Sequence, residues 1–419
     1  MTNAAPMESA LARLYGTSGH ELARQLQRWG GLAERFRECF GGPAPRFFSA
    51  PGRTEIGGNH TDHNHGKVLA AAVDLDVIAA AAPGSDRAIT VYSEGYPQPF
   101  VVGLDDLSMH PDERGTTAAL IRGIAARFRD SGCAVGGVQA CIASDVPVGS
   151  GLSSSAAVEV LIGTILNVIC NEARLGPERI AIAGQYAENV YFGKPCGLMD
   201  QIASAVGGIV AIDFEIPGSP RVERVEFDFA KAGCDLLVVD TGGSHADLTD
   251  DYAAIPREMK LVAAQFGSQV CREISMQDLL ARLAGLRTTA GDRAILRALH
   301  FLQENDRVDR QIHALRKGNM QEFLRLVEES GDSSFRWLQN CHSGRNPREQ
   351  GIALGLALAE GMVKEWGGAC RVHGGGFAGT ILVFLPAGRS DEFRERMESV
   401  FGAGSVRVLR VRSRGSTEV

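Results

Sequence analysis

The sequence PVGSGLSSSAA, residues 147–157, decides the fold, and it lies between a predicted strand at 138–144 and a predicted helix that ends at Cys170. Glycines let backbone N–H groups converge, and a helix N-terminus adds partial positive charge. Serine hydroxyls can bind phosphate oxygens or Mg²⁺. A serine-capped helix after a flexible turn, the alternative, would need only one glycine and one serine. We therefore predict a phosphate-binding loop that contains Gly149, Ser150, Gly151, Leu152, Ser153, Ser154 and Ser155.

A second stretch, PGRTEIGGNHTDHNHG at residues 51–66, concentrates a guanidinium, carboxylates, amides and imidazoles among glycines. Such groups supply both hydrogen-bond donors and acceptors, which a polyhydroxylated ligand requires. A polar surface turn is the alternative. A metal site at His60, His63 and His65 is disfavoured, because no matching His/Cys cluster accompanies them and glycine loops hold metal ligands poorly. The stretch predicts a binding loop for a compound rich in hydroxyl groups.

A third stretch, HGGGFAGT at residues 373–380, contains the pattern G-x-G-x-x-G. A dinucleotide-binding interpretation fails, because that motif precedes a helix and here the apolar residues 381–384 predict a strand. A turn whose backbone approaches a ligand or another loop fits better. The first stretch is not a Walker loop either, since the sequence has no G-x-x-x-x-G-K-[ST].

Composition restricts the class of protein. The 419 residues carry a net charge of -7 with a pI near 5.9, which argues against nucleic acid as a partner. Nine cysteines without a C-x-x-C pair indicate reduced thiols. The N-terminus lacks a signal-peptide pattern, and the apolar run 158–170 is too short to span a membrane. We expect a cytoplasmic protein without a membrane partner.

The chain shows no internal repeat and no low-complexity linker. Amphipathic helices are predicted over residues 8–40, and alternating strands and helices follow. The segment EIPGSP at 215–220 is the best candidate for a boundary. It divides the chain into predicted domains 1–220 and 221–419. The polar tail 412–419 is predicted to fray.

Together and in this order, the three stretches resemble the GHMP kinase family, and within it the galactokinases. The G-x-G-L-S-S-S-A loop matches at every fixed position, as does the C-terminal G-G-G-F-x-G. Residues 52–66 match most of G-R-x-x-x-I-G-E-H-T-D-Y-N-x-G. A fourth segment, GKPCGLMDQ at 193–201, is similar to the stretch that bears the family's catalytic aspartate. The resemblance covers about residues 45–410.

The resemblance implies an α+β, two-domain GHMP kinase fold. An N-terminal α+β domain would hold the phosphate loop, a C-terminal ferredoxin-like α+β domain would follow, and the active site would lie in the cleft between them. It also implies a phosphotransferase that uses ATP and Mg²⁺ to convert galactose to galactose 1-phosphate. The partners would then be a sugar and ATP, and the protein would be a monomer or a weak homodimer.

Residue roles follow from the resemblance position by position. Asp200 would be the base for the C1 hydroxyl, and Arg53 would stabilise its charge and that of the transferred group. Ser155 and Glu188 would hold Mg²⁺. The sugar would contact Asn59, His60, Asp62, Gly197 and Tyr252, the last in a segment that begins at His245.

Several positions depart from the family pattern, and all of them concern substrate choice or nucleotide affinity. Asn59 stands where galactokinases carry glutamate, Glu55 where they carry asparagine, and His63 where they carry tyrosine. Thr117 falls where some members have a tryptophan near adenine. An amide at position 59 would remove repulsion toward a carboxylate at C6, so galacturonate is an alternative substrate. An N-acetylhexosamine or an inositol-like polyol, phosphorylated by the same chemistry, are further alternatives. A non-catalytic sensor is disfavoured, because Ser155 and Asp200 are intact.

Overall fold

The computed structural model describes residues 4–419 apart from 17–18, 43, 148, 150, 217 and 244–247. Its strands, in chain order, are β1 Arg46–Gly57, β2 Lys67–Pro83, β3 Ala88–Ser93, β4 Phe100–Gly103, β5 Val138–Ser144, β6 Ile209–Asp213, β7 Arg221–Val225, β8 Cys234–Asp240, β9 Ala369–His373, β10 Thr380–Pro386, β11 Val406–Leu409 and β12 Thr417–Glu418. Its α-helices are α1 Ala4–Tyr15, α2 Gly19–Phe40, α3 Thr117–Asp130, α4 Ser154–Asn171, α5 Pro177–Tyr186, α6 Met199–Val206, α7 Thr249–Ala264, α8 Met276–Ala281, α9 Leu283–Thr289, α10 Asp292–Arg316, α11 Met320–Ser333, α12 Gly351–Trp366 and α13 Ser390–Phe401.

Within the described residues these strands form two sheets. The larger has eight strands along the path β12-β1-β2-β5-β3-β4, with β6 bridging β2 and β7. The smaller has four antiparallel strands in the order β11-β8-β10-β9. The 17-residue β2 serves two neighbours, since its first half pairs with β6 and its second half with β5.

Strand β2 is apolar over most of its length, with Lys67, Asp74 and Asp76 as the exceptions, because both of its faces are covered. Ile78, Ala80 and Ala82 face a cluster that contains side chains of α1 and α2, whereas the intervening residues contact the main core under α3 to α6. This alternation follows from the two-residue period of a strand. The sequence allowed one strand or two over this run, and the structure has one continuous strand.

The large sheet also takes strands from the C-terminal side of the predicted boundary. Strand β7 follows residue 220 and pairs with β6, and β12 pairs with β1 at the sheet edge. The 220/221 division stays a prediction. The prediction that residues 412–419 fray was wrong, because Thr417 and Glu418 pair with β1 and Arg412 is buried at 3% exposure. Its charge is compatible with burial because it is paired.

A buried charge network holds both ends of the chain to the large sheet. Asp76 is fully buried and accepts hydrogen bonds from Tyr15 at 2.6 Å, Arg28 at 2.6 Å and Arg412 at 3.0 Å, with a further bond from Ser49. Burial alone would raise the pKa of Asp76, but the two guanidinium groups outweigh it and hold the pKa below its usual value. The carboxylate therefore links α1, α2 and the C-terminal segment.

Helix α4 is longer than the sequence indicated. Its 18 residues, with a mean hydropathy of 1.5, are long and apolar enough to cross a membrane by length and composition. This corrects the expectation that no apolar segment reaches that length. In the fold, 61% of the helix is buried and it packs against β1 and β2. It thus occupies the position of a core helix.

Candidate active site

The predicted phosphate loop connects β5 to α4 and is built from left-handed residues. Gly149 has φ 79° and Gly151 has φ 71°, and Ser153 adopts φ 56° just before α4 begins. Ser150 lies outside the described residues. A Cβ at Gly151 would lie 2.6 Å from the Thr380 hydroxyl, so glycine is required where the loop meets the smaller sheet. The first N–H groups of a helix have no intrahelical acceptor, which suits this end of α4 to an anion.

Asp200 and Arg53, which were predicted to lie close together, form a bidentate ion pair. The Arg53 Nε–Asp200 Oδ1 distance is 2.6 Å and the Nη2–Oδ2 distance is 2.7 Å. Ser153 donates to the same carboxylate instead of capping α4, and Arg53 also donates to the carbonyl of Gly151. Burial would raise the pKa of Asp200, but Arg53 and Ser153 outweigh it and lower the pKa. Asp200 is therefore ionised at neutral pH.

Ser155 and Glu188, the predicted metal ligands, also lie together. Ser155 Oγ donates to Glu188 Oε1 at 3.3 Å, and the Gln201 amide donates to Glu188 Oε2 at 3.1 Å. Gln201 simultaneously donates to Glu159 Oε2 at 2.9 Å. Burial and the charge of Glu188 raise the pKa of Glu159 well above its usual value. Our sequence reasoning missed Glu159, although a carboxylate inside an apolar helix was a visible signal.

This group of oxygen atoms fits Mg²⁺ only together with phosphate. Among the residues that the structure describes, no cluster of three or more His, Cys, Asp or Glu side chains could hold a metal ion. Mg²⁺ ordinarily takes one or two carboxylates and completes its shell with water and substrate phosphates. Ser155 and Glu188 stand beside the phosphate loop, where that combination can form.

The four sequence stretches converge around the predicted sugar loop. His60 donates from Nε2 to the carbonyl of Gly375 at 2.8 Å, and Tyr252 donates to the carbonyl of Gly376 at 2.8 Å. A Cβ at Gly197 would lie only 1.9 Å from Asp62 Oδ2. Burial lowers the pKa of His60 to about 4, so its ring is neutral at pH 7. These contacts place His60, Asp62, Gly197 and Tyr252 at one junction.

The side-chain amide of Asn59 forms hydrogen bonds with other protein groups through both its nitrogen and its oxygen. Its amide donates to Glu55 Oε1 at 2.9 Å and to the carbonyl of Gly374 at 2.7 Å. Its oxygen accepts from Asn340 at 2.8 Å and from Ser334 at 3.3 Å. The side chain is fully buried. The predicted contact between Asn59 and a sugar stays a prediction, and in this arrangement both amide hydrogens are already used.

Comparisons with known proteins agree on one family. A model described as the galactokinase galactose-binding signature matches residues 34–83, and one for the GHMP kinases N terminal domain matches residues 119–208. A galactokinase from Streptomyces coelicolor is 31% identical over 388 residues, which cover 91% of this chain and 95% of that protein.

Solved structures agree as well. Lactococcus lactis galactokinase complexed with galactose superposes with a TM-score of 0.80 at 25% identity, covering 93% of this chain and all of that one. The mevalonate kinase of Methanococcus jannaschii shares the fold, with a TM-score of 0.60 at 15% identity over 88% of this chain and 98% of that one.

Proposed function

We propose, from the premise that this chain belongs to the galactokinase family of the GHMP kinases, that it transfers the γ-phosphoryl group of ATP to the C1 hydroxyl of galactose. The observation that carries the proposal is the pair of Asp200 on α6 and Arg53 on β1, which lies beside α4 because Ser153, the residue before α4, donates to Asp200. It brings a carboxylate, a guanidinium and a helix N-terminus to one point. Phosphoryl transfer depends mainly on positioning and electrostatic stabilisation, and these groups supply both.

Family membership confirms the predicted fold and the predicted enzyme class. The α+β, GHMP kinase architecture is the one shared with the galactokinase and mevalonate kinase structures. Sugar and ATP are accordingly the small-molecule partners. The cytoplasmic location, the absence of nucleic-acid and membrane partners, and the monomeric or weakly dimeric state stay predictions.

Asp200, Arg53 and the phosphate loop have different roles in the proposed reaction. Asp200 accepts a hydrogen bond from the C1 hydroxyl and takes its proton as the new bond to phosphorus forms. Arg53 keeps that carboxylate in place through two hydrogen bonds and faces the charge on the transferred group. The phosphate loop, from Gly149 to Ser155, binds phosphate oxygens through backbone N–H groups and hydroxyls.

Mg²⁺ would be held by Ser155 and Glu188, and it would neutralise charge on the phosphate oxygens. Gln201 keeps the Glu188 carboxylate in position by donating to its second oxygen at 3.1 Å. Glu159 in turn holds Gln201 from the buried side.

The state of Asn59 favours galactose over galacturonate. A uronate would need an amide hydrogen of Asn59 for its C6 carboxylate, and both hydrogens are bound to Glu55 and Gly374. The Glu55 carboxyl group beside it offers no attraction to an acid. A neutral hydroxymethyl group at C6 makes no such demand.

Turnover of a sugar panel tests the proposal. We expect ADP release with Mg-ATP to give the highest kcat/KM for galactose, against galacturonate, N-acetylgalactosamine, glucose and myo-inositol. The preference over galacturonate is expected because a neutral C6 group requires nothing from the saturated Asn59 amide, and the preference over the other three compounds rests on membership of the galactokinase family. If galactose is turned over poorly and another compound well, galactose is not the substrate, whereas the assignment as a kinase still holds.

Replacing Gly197 by alanine should weaken sugar binding. The new Cβ would lie 1.9 Å from Asp62 Oδ2, so the carboxylate must move. Loss of one charge-assisted hydrogen bond corresponds to roughly a tenfold to hundredfold rise in the KM for galactose. The KM for ATP should stay the same. Gly361→Ala is the control, because a Cβ there meets nothing within 4 Å. An unchanged galactose KM would show that Asp62 does not bind the sugar.

A further inference from the structure

Lys194 lies at the junction of the phosphate loop and the predicted metal ligands, beside the Glu188 carboxylate. Its backbone is fixed by the segment that carries Glu188. That segment, Ala187–Phe192, is followed by Gly193, which has φ 85°. The N–H groups of Gly193 and Lys194 donate to the carbonyl of Glu188 at 2.9 and 3.1 Å. The side chain of Lys194 therefore starts from a defined point beside the Glu188 carboxylate.

The ammonium group contacts the same oxygen atom as Ser155. Lys194 Nζ lies 3.4 Å from Glu188 Oε1, and Ser155 Oγ lies 3.3 Å from it. The two partners differ greatly in exposure, since the Lys194 side chain is 65% exposed and that of Glu188 only 4%. Lys194 thus reaches over the site from the solvent side, while Glu188 forms part of its floor.

Lys194 and Arg53 are two cations of this site with different partners, since Lys194 contacts Glu188 and Arg53 does not. Arg53 is engaged by Asp200 through two hydrogen bonds. Glu188 is bound by Lys194 and by the neutral Gln201 amide. A divalent cation held by Glu188 would compete for the Oε1 atom that the Lys194 ammonium contacts at 3.4 Å. Two cations beside one carboxylate repel each other, so the flexible lysine side chain would turn away when the metal binds.

We propose that Lys194 is a further ATP-binding residue, whose ammonium turns from Glu188 to the nucleotide phosphates when Mg²⁺ binds Glu188. The inference rests on the proposed function. The phosphate loop ends beside Lys194, because Ser155, its last residue, lies in the first turn of α4 and contacts the same Glu188 oxygen. Phosphate oxygens are the one set of new anions that ATP brings to this place. Lysine binds phosphate as a point charge and needs no fixed geometry.

The alternative is that Lys194 only occupies Glu188 until the metal replaces it. The two roles predict opposite results for Lys194→Met. A phosphate ligand, once removed, weakens nucleotide binding. A competitor of the metal, once removed, lowers the Mg²⁺ concentration needed for half-maximal binding and leaves nucleotide affinity unchanged or improved.

Titration calorimetry with a non-hydrolysable ATP analogue and saturating Mg²⁺ distinguishes these roles. We expect Lys194→Met to raise the Kd of the analogue at least about tenfold, the size of one lost charge-assisted contact, and Lys194→Arg to restore part of it. Lys317→Met, an exposed lysine at the end of α10, should bind like the parent protein. An unchanged Kd, or a lower Mg²⁺ requirement, would overturn the inference.

Failure of this inference differs from failure of the proposed function. The Kd is measured without sugar, so a parent protein that does not phosphorylate galactose can still show the Lys194 effect. Conversely, if the parent phosphorylates galactose and Lys194→Met binds the analogue equally well, the inference alone is wrong. Thermal unfolding of the variant shows whether it is folded, which the exposure of the side chain leads us to expect.

Discussion

Asp200→Asn is expected to lower kcat at least ~100-fold while ATP binding changes little, the size typical of removing a proton-transfer group. The amide keeps the shape of the carboxylate but cannot take the C1 proton. It also leaves the buried Arg53 without its counter-charge. Because the lowered pKa keeps Asp200 ionised at neutral pH, the parent enzyme works with the charged form, and the variant loses that form at every pH.

Single-turnover kinetics together with calorimetry of ATP binding provide the measurement. Asp306→Asn, an exposed aspartate on α10, is the matched control and should retain full activity. The variant must unfold at a temperature close to that of the parent for the comparison to hold. An Asp200→Asn protein that keeps most of its kcat would show that another group accepts the proton.

Asp76→Ala is expected to lower the free energy of unfolding by about 3–5 kcal/mol, the usual effect of removing one partner from a buried ion pair. Arg28 and Arg412 would both lose the carboxylate that compensates their burial. Because the folded state lowers the pKa of Asp76, its contribution is present above the unfolded pKa and is lost as the pH falls through the folded value. The difference between parent and variant should therefore shrink in acid.

Urea unfolding at neutral and acidic pH measures both effects. Asp105→Ala is the control, since the Arg87–Asp105 pair is 77% and 79% exposed and should contribute less than about 1 kcal/mol. If the two variants lose equal stability, the buried network does not hold the chain ends as described. If the effect of Asp76→Ala is independent of pH, the carboxylate is not the group responsible.

The phosphate loop and the Asp200–Arg53 pair could be predicted because their residues form short, distinctive patterns. Glycine and serine occur there at a density that a helix cap does not require. Glu159 and Lys194 were not predicted, because their roles depend on which side chains meet after α4 and the segment Ala187–Phe192 pack together. The environment of Asn59 was equally hidden, since its partners come from positions near 334–340 and 374.

Two parts of the fold, strand β7 and the C-terminal tail, could not be predicted from the sequence for a different reason. Strand β7 is short and largely exposed, so it has no apolar alternation and is held by backbone pairing with β6. The polar composition of residues 412–419 predicts a frayed tail. Arg412 is nevertheless buried, because its guanidinium group donates hydrogen bonds to Asp76 and Ser49 in the large sheet. Polar residues that find charged partners far away in the sequence give no local signal.

The pairing of β12 with β1 has a consequence for synthesis on the ribosome. Strand β1, which carries the start of the sugar loop, emerges early, but the strand that closes its outer edge lies at Thr417–Glu418. Domains generally form as they are translated, beginning at the N-terminus. Here the strand that pairs with the outer edge of β1, and Arg412, one of the two guanidinium groups that neutralise Asp76, are translated only with residues 411–419. A ribosome stalled before residue 411 would thus display an open strand edge, the kind of surface on which neighbouring nascent chains aggregate.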